Sequence, residues 1–393
     1  MTSATSTTPI AFTFAVRTNV TFAVGSRHSL SSIVTSQGWR EVGLVVDHGV
    51  RDVPAVRELI DEVSRSAATR LAWCEISEPT YDSLDEMRWS FEGARLDAVI
   101  GIGGGSALDA AKAMAVFVNN HAPALAYRGF DRFTAPVVPI VAVPTTAGTG
   151  SEVTPNASFI DSHERRKLGI NGEAVRPAFA LLDPELTLTC PRLATLSAAA
   201  DSLVHATEAY VARKTTPMAR MFAREGFGRV FNALPATLAD GSDVDARTEV
   251  MFGAFLAGVA LMHSGTGPAA AMLYPIGVHH GVPHGIGGAM FLPAVAEHNV
   301  NAGYYDYADL EGLMDGASAS PSRQERARHF VEQVNAAWRA FVMPSLGDYG
   351  VRSEHLQRLV ADTLQLRGAL DQNPVPFDAA EIDKAFRSRI AES

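Results

Sequence analysis

The chain has 393 residues, 47% of them apolar and 19% charged, with a formal net charge of −10 at pH 7. That length suits two domains better than one, and the apolar-to-charged balance is that of a folded globular protein. The negative charge disfavours nucleic acid and anionic membrane as partners and leaves a small polar molecule as the natural ligand.

Cys74 and Cys190 are the only cysteines, so no disulfide framework exists and a reducing cytoplasm is expected. Residues 1–9 are rich in Ser and Thr without a basic leader and are expected to fray. The apolar run at 10–16 is too short for a signal core. No run approaches the roughly 18 apolar residues that would cross a bilayer.

Residues 43–47 form an apolar run that ends in Asp47, the pattern of a buried parallel strand. Two more such runs lie at 97–102 and 137–143, and helix-like segments at 53–66 and 81–96 separate the first two. Strand–helix–strand alternation predicts a parallel sheet covered by helices on both faces.

The second strand runs straight into Gly103, Gly104, Gly105 and Ser106, with a helix expected from about Ala107. Glycines let a phosphate approach the backbone, and a helix N-terminus offers free N–H groups. The spacing is not that of the common dinucleotide fingerprint, and by itself the turn also suits any α/β protein. A second loop after a buried strand, with Thr145, Thr146, Thr149, Ser151 and Thr154 among glycines, adds hydroxyls suited to a ribose or pyrophosphate. Two such loops fit a dinucleotide lying across the crevice of an open sheet. Asp47, at its own strand end, is placed to accept from a ribose hydroxyl and to repel a 2′-phosphate, which favours NAD over NADP. A turn-capping role for Asp47 is an equally simple reading.

The character changes near Asp183 and Pro184. Alanine- and leucine-rich helical periodicity follows at 196–212, 217–238 and 246–262, then at 324–343 and 353–363. The expected division is an α/β dinucleotide-binding domain over 1–188 and an all-helical domain over 189–393. On the first of these helices Asp201 and His205 lie four apart, so both face one side, with Glu208 on roughly the same side. His284 sits in a Pro-His-Gly turn leading into another helix, a few residues after His279 and His280. A solvated loop residue is the plain reading of either earlier histidine, and a capping or salt-bridge pair is the plain reading of Asp201 with His205.

Taken together, these blocks resemble the iron-containing (group III) alcohol dehydrogenases, relatives of dehydroquinate synthase and glycerol dehydrogenase. The likeness is carried by Gly103 to Ser106 with Asp109 and Lys112, by Pro144 to Thr154, by Asp183 to Leu186, by Asp201 to Tyr210, and by Pro283, His284 and Gly285. It implies an N-terminal NAD-binding domain, a helical metal and substrate domain, a cleft between them, and a homodimer. It places Gly104, Gly105, Ser106, Thr145, Thr146, Ser151 and Thr154 at the cofactor and Lys167 near the nicotinamide ribose. It also makes Asp201, His205 and His284 ligands of Fe2+ or Zn2+.

The same resemblance puts Ala270 where the family has a ligand histidine and Tyr274 where a second histidine follows it. Three readings follow: His280 or His279 supplies the missing ligand from its loop; three protein ligands hold the ion beside an open position; or the metal is gone, and Tyr274, His280 or Lys167 donates to the substrate oxygen. The implied reaction is hydride transfer between nicotinamide and an alcohol or aldehyde, with a sugar acid or phosphonate aldehyde as a specialised substrate. The competing readings are a dehydroquinate synthase-like lyase or cyclase that uses NAD transiently, and a non-catalytic binding protein.

Overall fold

The computed structural model describes residues 11–75 and 78–391; the stretch 1–9, expected to fray, lies outside them. The N-terminal half alternates strands and helices in the order β1 (Asn19–Phe22), α1 (Leu30–Ser36), β2 (Glu41–Asp47), α2 (Pro54–Ser66), β3 (Ala68–Cys74), α3 (Tyr81–Arg88), β4 (Ala98–Gly103) and α4 (Gly105–Phe117). Short strands follow: β5 (Gly129–Phe130), β6 (Ile140–Pro144), β7 (Ser158–Asp161), β8 (Arg166–Asn171) and β9 (Phe179–Leu182).

Six strands make one parallel sheet in the order β1-β9-β6-β4-β2-β3, and β5, β8 and β7 make a small second sheet. Helices cover both faces of the large sheet, so its central strands have no wet face. β4 is buried at every residue and β2 at Val42–Val46, which is why both read as unbroken apolar runs rather than alternating ones. β3 is an edge strand with three of its seven residues exposed, and Thr69 and Arg70 cut its apolar run to residues 71–74. The helix expected over 81–96 stops at Arg88 and tightens into a 3₁₀ turn over Trp89–Phe91.

After β9 the described residues are helical: α5 (Arg192–Val211), α6 (Pro217–Ala239), α7 (Val244–Met262), α8 (Pro268–His280), α9 (His284–Asn301), α10 (Tyr307–Glu311), α11 (Arg323–Ala340), α12 (Leu356–Leu364), α13 (Arg367–Leu370) and α14 (Ala379–Ala391). α5 is the axial helix, packed by α6, α7 and α9. A helix enclosed all round is apolar all round, and fifteen of its twenty residues are buried. Asp201, His205 and Glu208 are therefore polar intrusions into an otherwise dry helix, and each needs a partner or a ligand. Among the described residues no helix is long and apolar enough to cross a membrane.

Candidate active site

The chain path reverses direction across the sheet between β2 and β4, since β3 lies outside β2 while β6, β9 and β1 lie beyond β4. Open parallel sheets bind ligands at the carboxyl ends of the strands at such a switch point. Asp47, Gly103 and Pro144 close the three strands there; Val46 pairs with Ile102, and Gly103 with Pro144. Gly103 has φ +151°, and a Cβ on it would stand 2.4 Å from Cβ of Asp47, so only glycine turns the chain so close to β2. Gly104 then caps α4, which begins at Gly105.

Asp47 performs the capping role as well as facing the loop. Its Oδ1 accepts from Gly49 N at 2.8 Å, and its Oδ2 lies 3.4 Å from Gly104 N at the rim of the cradle. Thr146 and Thr149 border the glycine turn: Thr146 side-chain atoms lie 3.5 Å from where a Gly104 Cβ would be, and Thr149 is packed against Gly105.

Ser151, Thr154 and Asp109, expected at the cofactor, contribute to a buried network around Lys112. The buried Lys112 Nζ donates to Ser151 Oγ (2.8 Å), Thr154 O (3.1 Å) and Asn156 O (2.6 Å). Ser151 Oγ donates in turn to Asp109 Oδ1, and Asp109 Oδ2 accepts from Ser158 N. These groups bolt the second loop to α4 and so fix the distance between the two halves of the cradle. Burial pushes the Lys112 ammonium below its usual range, opposed by Asp109 and Glu152.

On the helical side, Asp201, His205 and His284 converge, with one donor atom from each within 4.8 Å of the others. Asp201 Oδ1 lies 3.5 Å from His205 Nε2 and 3.9 Å from His284 Nε2. His284 opens α9, and the following Gly285 explains how it arrives there. A Cβ on Gly285 would stand 1.8 Å from Ser197 O and 2.9 Å from Cβ of Asp201, so the start of α9 lies flush on α5 only because that residue is glycine.

Asp201 Oδ1 and His205 Nδ1 are buried without a hydrogen-bond partner, a costly state for protein groups left to themselves. Burial raises the Asp201 carboxyl, with His205 and Lys167 opposing. Burial, then Lys167 and His205, drive His284 well below the usual imidazole range, which leaves it neutral with a free lone pair. One carboxylate with an unsatisfied oxygen and two imidazoles, with a donor atom from each within 4.8 Å of the others, fit a divalent transition metal.

Lys167 on β8 stands between the two groups of residues. Burial lowers its ammonium, but an ion pair with Glu78 at 2.5 Å more than offsets this and raises it. Its charge acts on Asp109 on the cofactor side and on Tyr274, Asp201 and His284 on the other. Glu78 was not legible as a partner, being 89 residues away in the chain. Tyr274 on α8 sets its ring edge-on to His284, centroids 5.5 Å apart, and burial raises its phenol while Lys167 opposes.

His280 does not join the cluster. It belongs, with His279, to the last turn of α8 rather than to a loop, because Gly281 adopts the left-handed conformation that ends the helix one residue later. The His280 ring lies against His355, centroids 4.6 Å apart, and His279 Nε2 bonds to Asp362 Oδ2 at 2.8 Å. Both partners come from the last hundred residues, around α12. Glu208 is likewise engaged: its two oxygens accept from Gly267 N and Ala269 N, each at 2.7 Å, and cap α8. Burial, opposed by these N–H groups, pushes its carboxyl up to about 7. No sequence signal distinguishes that cap from a ligand role.

Residues 17–184 match the iron-containing alcohol dehydrogenase family, and residues 195–390 match the C-terminal part of the same family. The chain belongs to the iron-containing alcohol dehydrogenases. This dehydrogenase is 33% identical to the NAD-dependent methanol dehydrogenase of Bacillus methanolicus over 70% of its own length and 72% of that protein's. It is 29% identical to lactaldehyde reductase of Escherichia coli K12 over 87% of its own length and 90% of the relative's. Among solved structures, a 1,3-propanediol oxidoreductase superposes with TM-score 0.90 at 26% identity, covering 96% of this chain and 100% of the other. The dehydrogenase is thus an oxidoreductase of alcohols and aldehydes from a family that uses NAD and a metal.

Proposed function

We propose that this dehydrogenase interconverts a small polar alcohol and its aldehyde with NAD(H) in the space between the glycine cradle and the Asp201–His205–His284 cluster. The observation that carries the reading is the convergence of Asp201, His205 and His284, with one donor atom from each within 4.8 Å of the others.

In this assignment the turn Gly103–Gly104–Gly105–Ser106 receives the pyrophosphate, supported by Thr146 and Thr149 at the rim. Asp109, Thr145, Ser151 and Thr154 shape the loop from behind. Asp47 accepts from a ribose hydroxyl, which favours NAD over NADP. Asp201, His205 and His284 hold the metal, Fe2+ or Zn2+, which when bound supplies Lewis-acid polarisation of the substrate oxygen. The neutral state of His284 keeps its lone pair available for that purpose. Lys167, tied to Glu78, presents a fixed positive charge near the nicotinamide ribose and the reacting oxygen. Tyr274 keeps its phenolic proton and can donate it to an oxygen gaining charge.

With the pyrophosphate on the glycine turn, the nicotinamide would lie toward Lys167 and the Asp201–His205–His284 cluster, where it would supply or accept the hydride. In oxidation the alcohol carbon loses a hydride to NAD+, its hydroxyl loses a proton, and aldehyde, NADH and H+ result.

The same reading divides the work between residues 1–188 for NAD and 189–393 for metal and substrate. It places a homodimer in the cytoplasm, the former on family resemblance and the latter on a sequence with only two cysteines, Cys74 and Cys190. His280 stands outside the reacting groups in this assignment. NADH oxidation with a panel of aldehydes, on protein whose metal content is measured alongside, is the test. NADH binding without turnover of any aldehyde would refute it.

A further inference from the structure

Glu78 begins a stretch of chain that is tied to the β7–β8 hairpin. Pro79 O accepts from Ile160 N at 3.0 Å, Thr80 bridges to Ile160, and Tyr81 Oη donates to Leu168 O at 3.0 Å. Thr80 also caps α3, exchanging hydrogen bonds with Ser83. The Glu78 carboxylate therefore meets Lys167, on the same hairpin, as a held pair, with Oε2 2.5 Å from Nζ. The Lys167 side chain is 12% exposed and that of Glu78 30%, so water screens the two charges only in part.

The reaction changes the charge beside this pair, because the nicotinamide ring is positive in NAD+ and neutral in NADH. In the assignment above the ring comes to lie near Lys167, with a divalent cation at Asp201, His205 and His284, so positive charge collects there. The carboxylates that act most on Tyr274, which faces His284, are Asp201, Glu78 and Asp109. Glu78 acts on Asp201 as well. Asp201 is a metal ligand in that assignment, and Asp109 is engaged by Ser151, Ser158 N and Lys112. Of the three, Glu78 is the one left to balance Lys167.

We propose that Glu78 is a positioning residue that holds Lys167 and sets the balance between bound NAD+ and bound NADH, by offsetting the lysine's charge beside the nicotinamide. Its negative charge favours the oxidised, positive form of the cofactor and is nearly indifferent to the reduced one. This rests on the cofactor reading above.

The test measures the binding of each form to the full chain as purified, without substrate, NADH by its fluorescence and NAD+ by calorimetry. Glu78→Gln removes one charge and keeps the shape of the side chain. It should raise the ratio of Kd for NAD+ to Kd for NADH by about tenfold, the order expected of one unit charge in partly screened surroundings. Glu78→Asp retains the charge and should keep the ratio within about twofold of the parent's. A purely structural role would weaken both forms alike, so an unchanged ratio in Glu78→Gln overturns the inference, as does an equal rise in Glu78→Asp.

Should Glu78→Gln fail to fold, Lys167→Gln decides. Removing the opposite charge should lower the same ratio by a comparable factor, and a ratio that stays or rises overturns the proposal. A parent chain that binds neither form defeats the cofactor reading itself, whereas one that binds both, with a ratio insensitive to Glu78, defeats only this inference.

Discussion

Lys112→Met replaces a fully buried ammonium by a side chain of nearly the same length and removes only the charge and its hydrogen bonds. Three bonds go, to Ser151 Oγ, Thr154 O and Asn156 O, together with an ion pair to Asp109 at 3.6 Å. Each bond from a charged donor contributes about 1.5–3 kcal/mol, but relief of the ammonium's desolvation offsets much of that sum. What persists is the cost of leaving the buried Thr154 carbonyl and the part-buried Asn156 carbonyl without the ammonium, and Asp109 without its counter-ion. Measurements on other proteins put breaking a buried pair at about 3–5 kcal/mol.

Against a total stability of about 5–15 kcal/mol this is a large fraction. With a urea slope of about 2–3 kcal/mol per molar, the midpoint should fall by about 1–2 M. Because those bonds tie the second loop to α4, NADH affinity measured by fluorescence should fall by about tenfold at temperatures where the variant is folded. Metal content should hold, since Asp201, His205 and His284 stand on α5 and α9. A midpoint within experimental error of the parent would refute the buried hub. A lower midpoint with unchanged NADH affinity would confine Lys112 to the fold and remove it from the cradle.

Three other outcomes follow from the geometry. Asp201→Ala and His284→Ala should each bring bound metal to background and lower kcat/KM by about three orders of magnitude or more, about 4 kcal/mol of lost stabilisation; retained metal and activity in both would exclude the cluster as the metal site. Asp47→Gly should reduce the preference for NAD over NADP by about tenfold as the 2′-phosphate loses its repulsion; intact discrimination would leave Asp47 with only its bond to Gly49. The Glu208 carboxyl, held up at about 7, keeps its proton in the folded chain where the unfolded chain has lost it. Its contribution is present in full below about 4.5 and fades as pH rises through 7, so Glu208→Gln should flatten that part of the stability curve measured with chelator present; superimposable pH slopes would refute the assignment.

Much of the site was legible because it is built from local rules. β4 and β6 are buried on both faces and announce themselves as apolar runs, and Gly103 to Gly105 follow one of them directly. Asp201 and His205 are legible for a different local reason, since a spacing of four puts two side chains on one face of any helix. Edge strand β3 escaped because exposure lets Thr69 and Arg70 interrupt its apolar pattern.

What the chain alone determined is thus the class of fold, the two glycine- and hydroxyl-rich turns, the pairing of Asp201 with His205 by spacing and the candidacy of His284 by resemblance. Tertiary structure decided the partners that lie far apart in sequence. It brought Glu78 to Lys167, carried His284 to Asp201 across the flush contact at Gly285, and assigned Glu208 to the end of α8. It removed His280 from the cluster by letting α8 run on to Gly281, with α12 presenting Asp362 to its neighbour and His355 to its own ring. It also joined Ser151, the Thr154 carbonyl and Asp109 to Lys112. In each case the reason is the same: a buried polar side chain takes the partner that packing brings within about 3 Å, and spacing along a sequence does not encode which one that is.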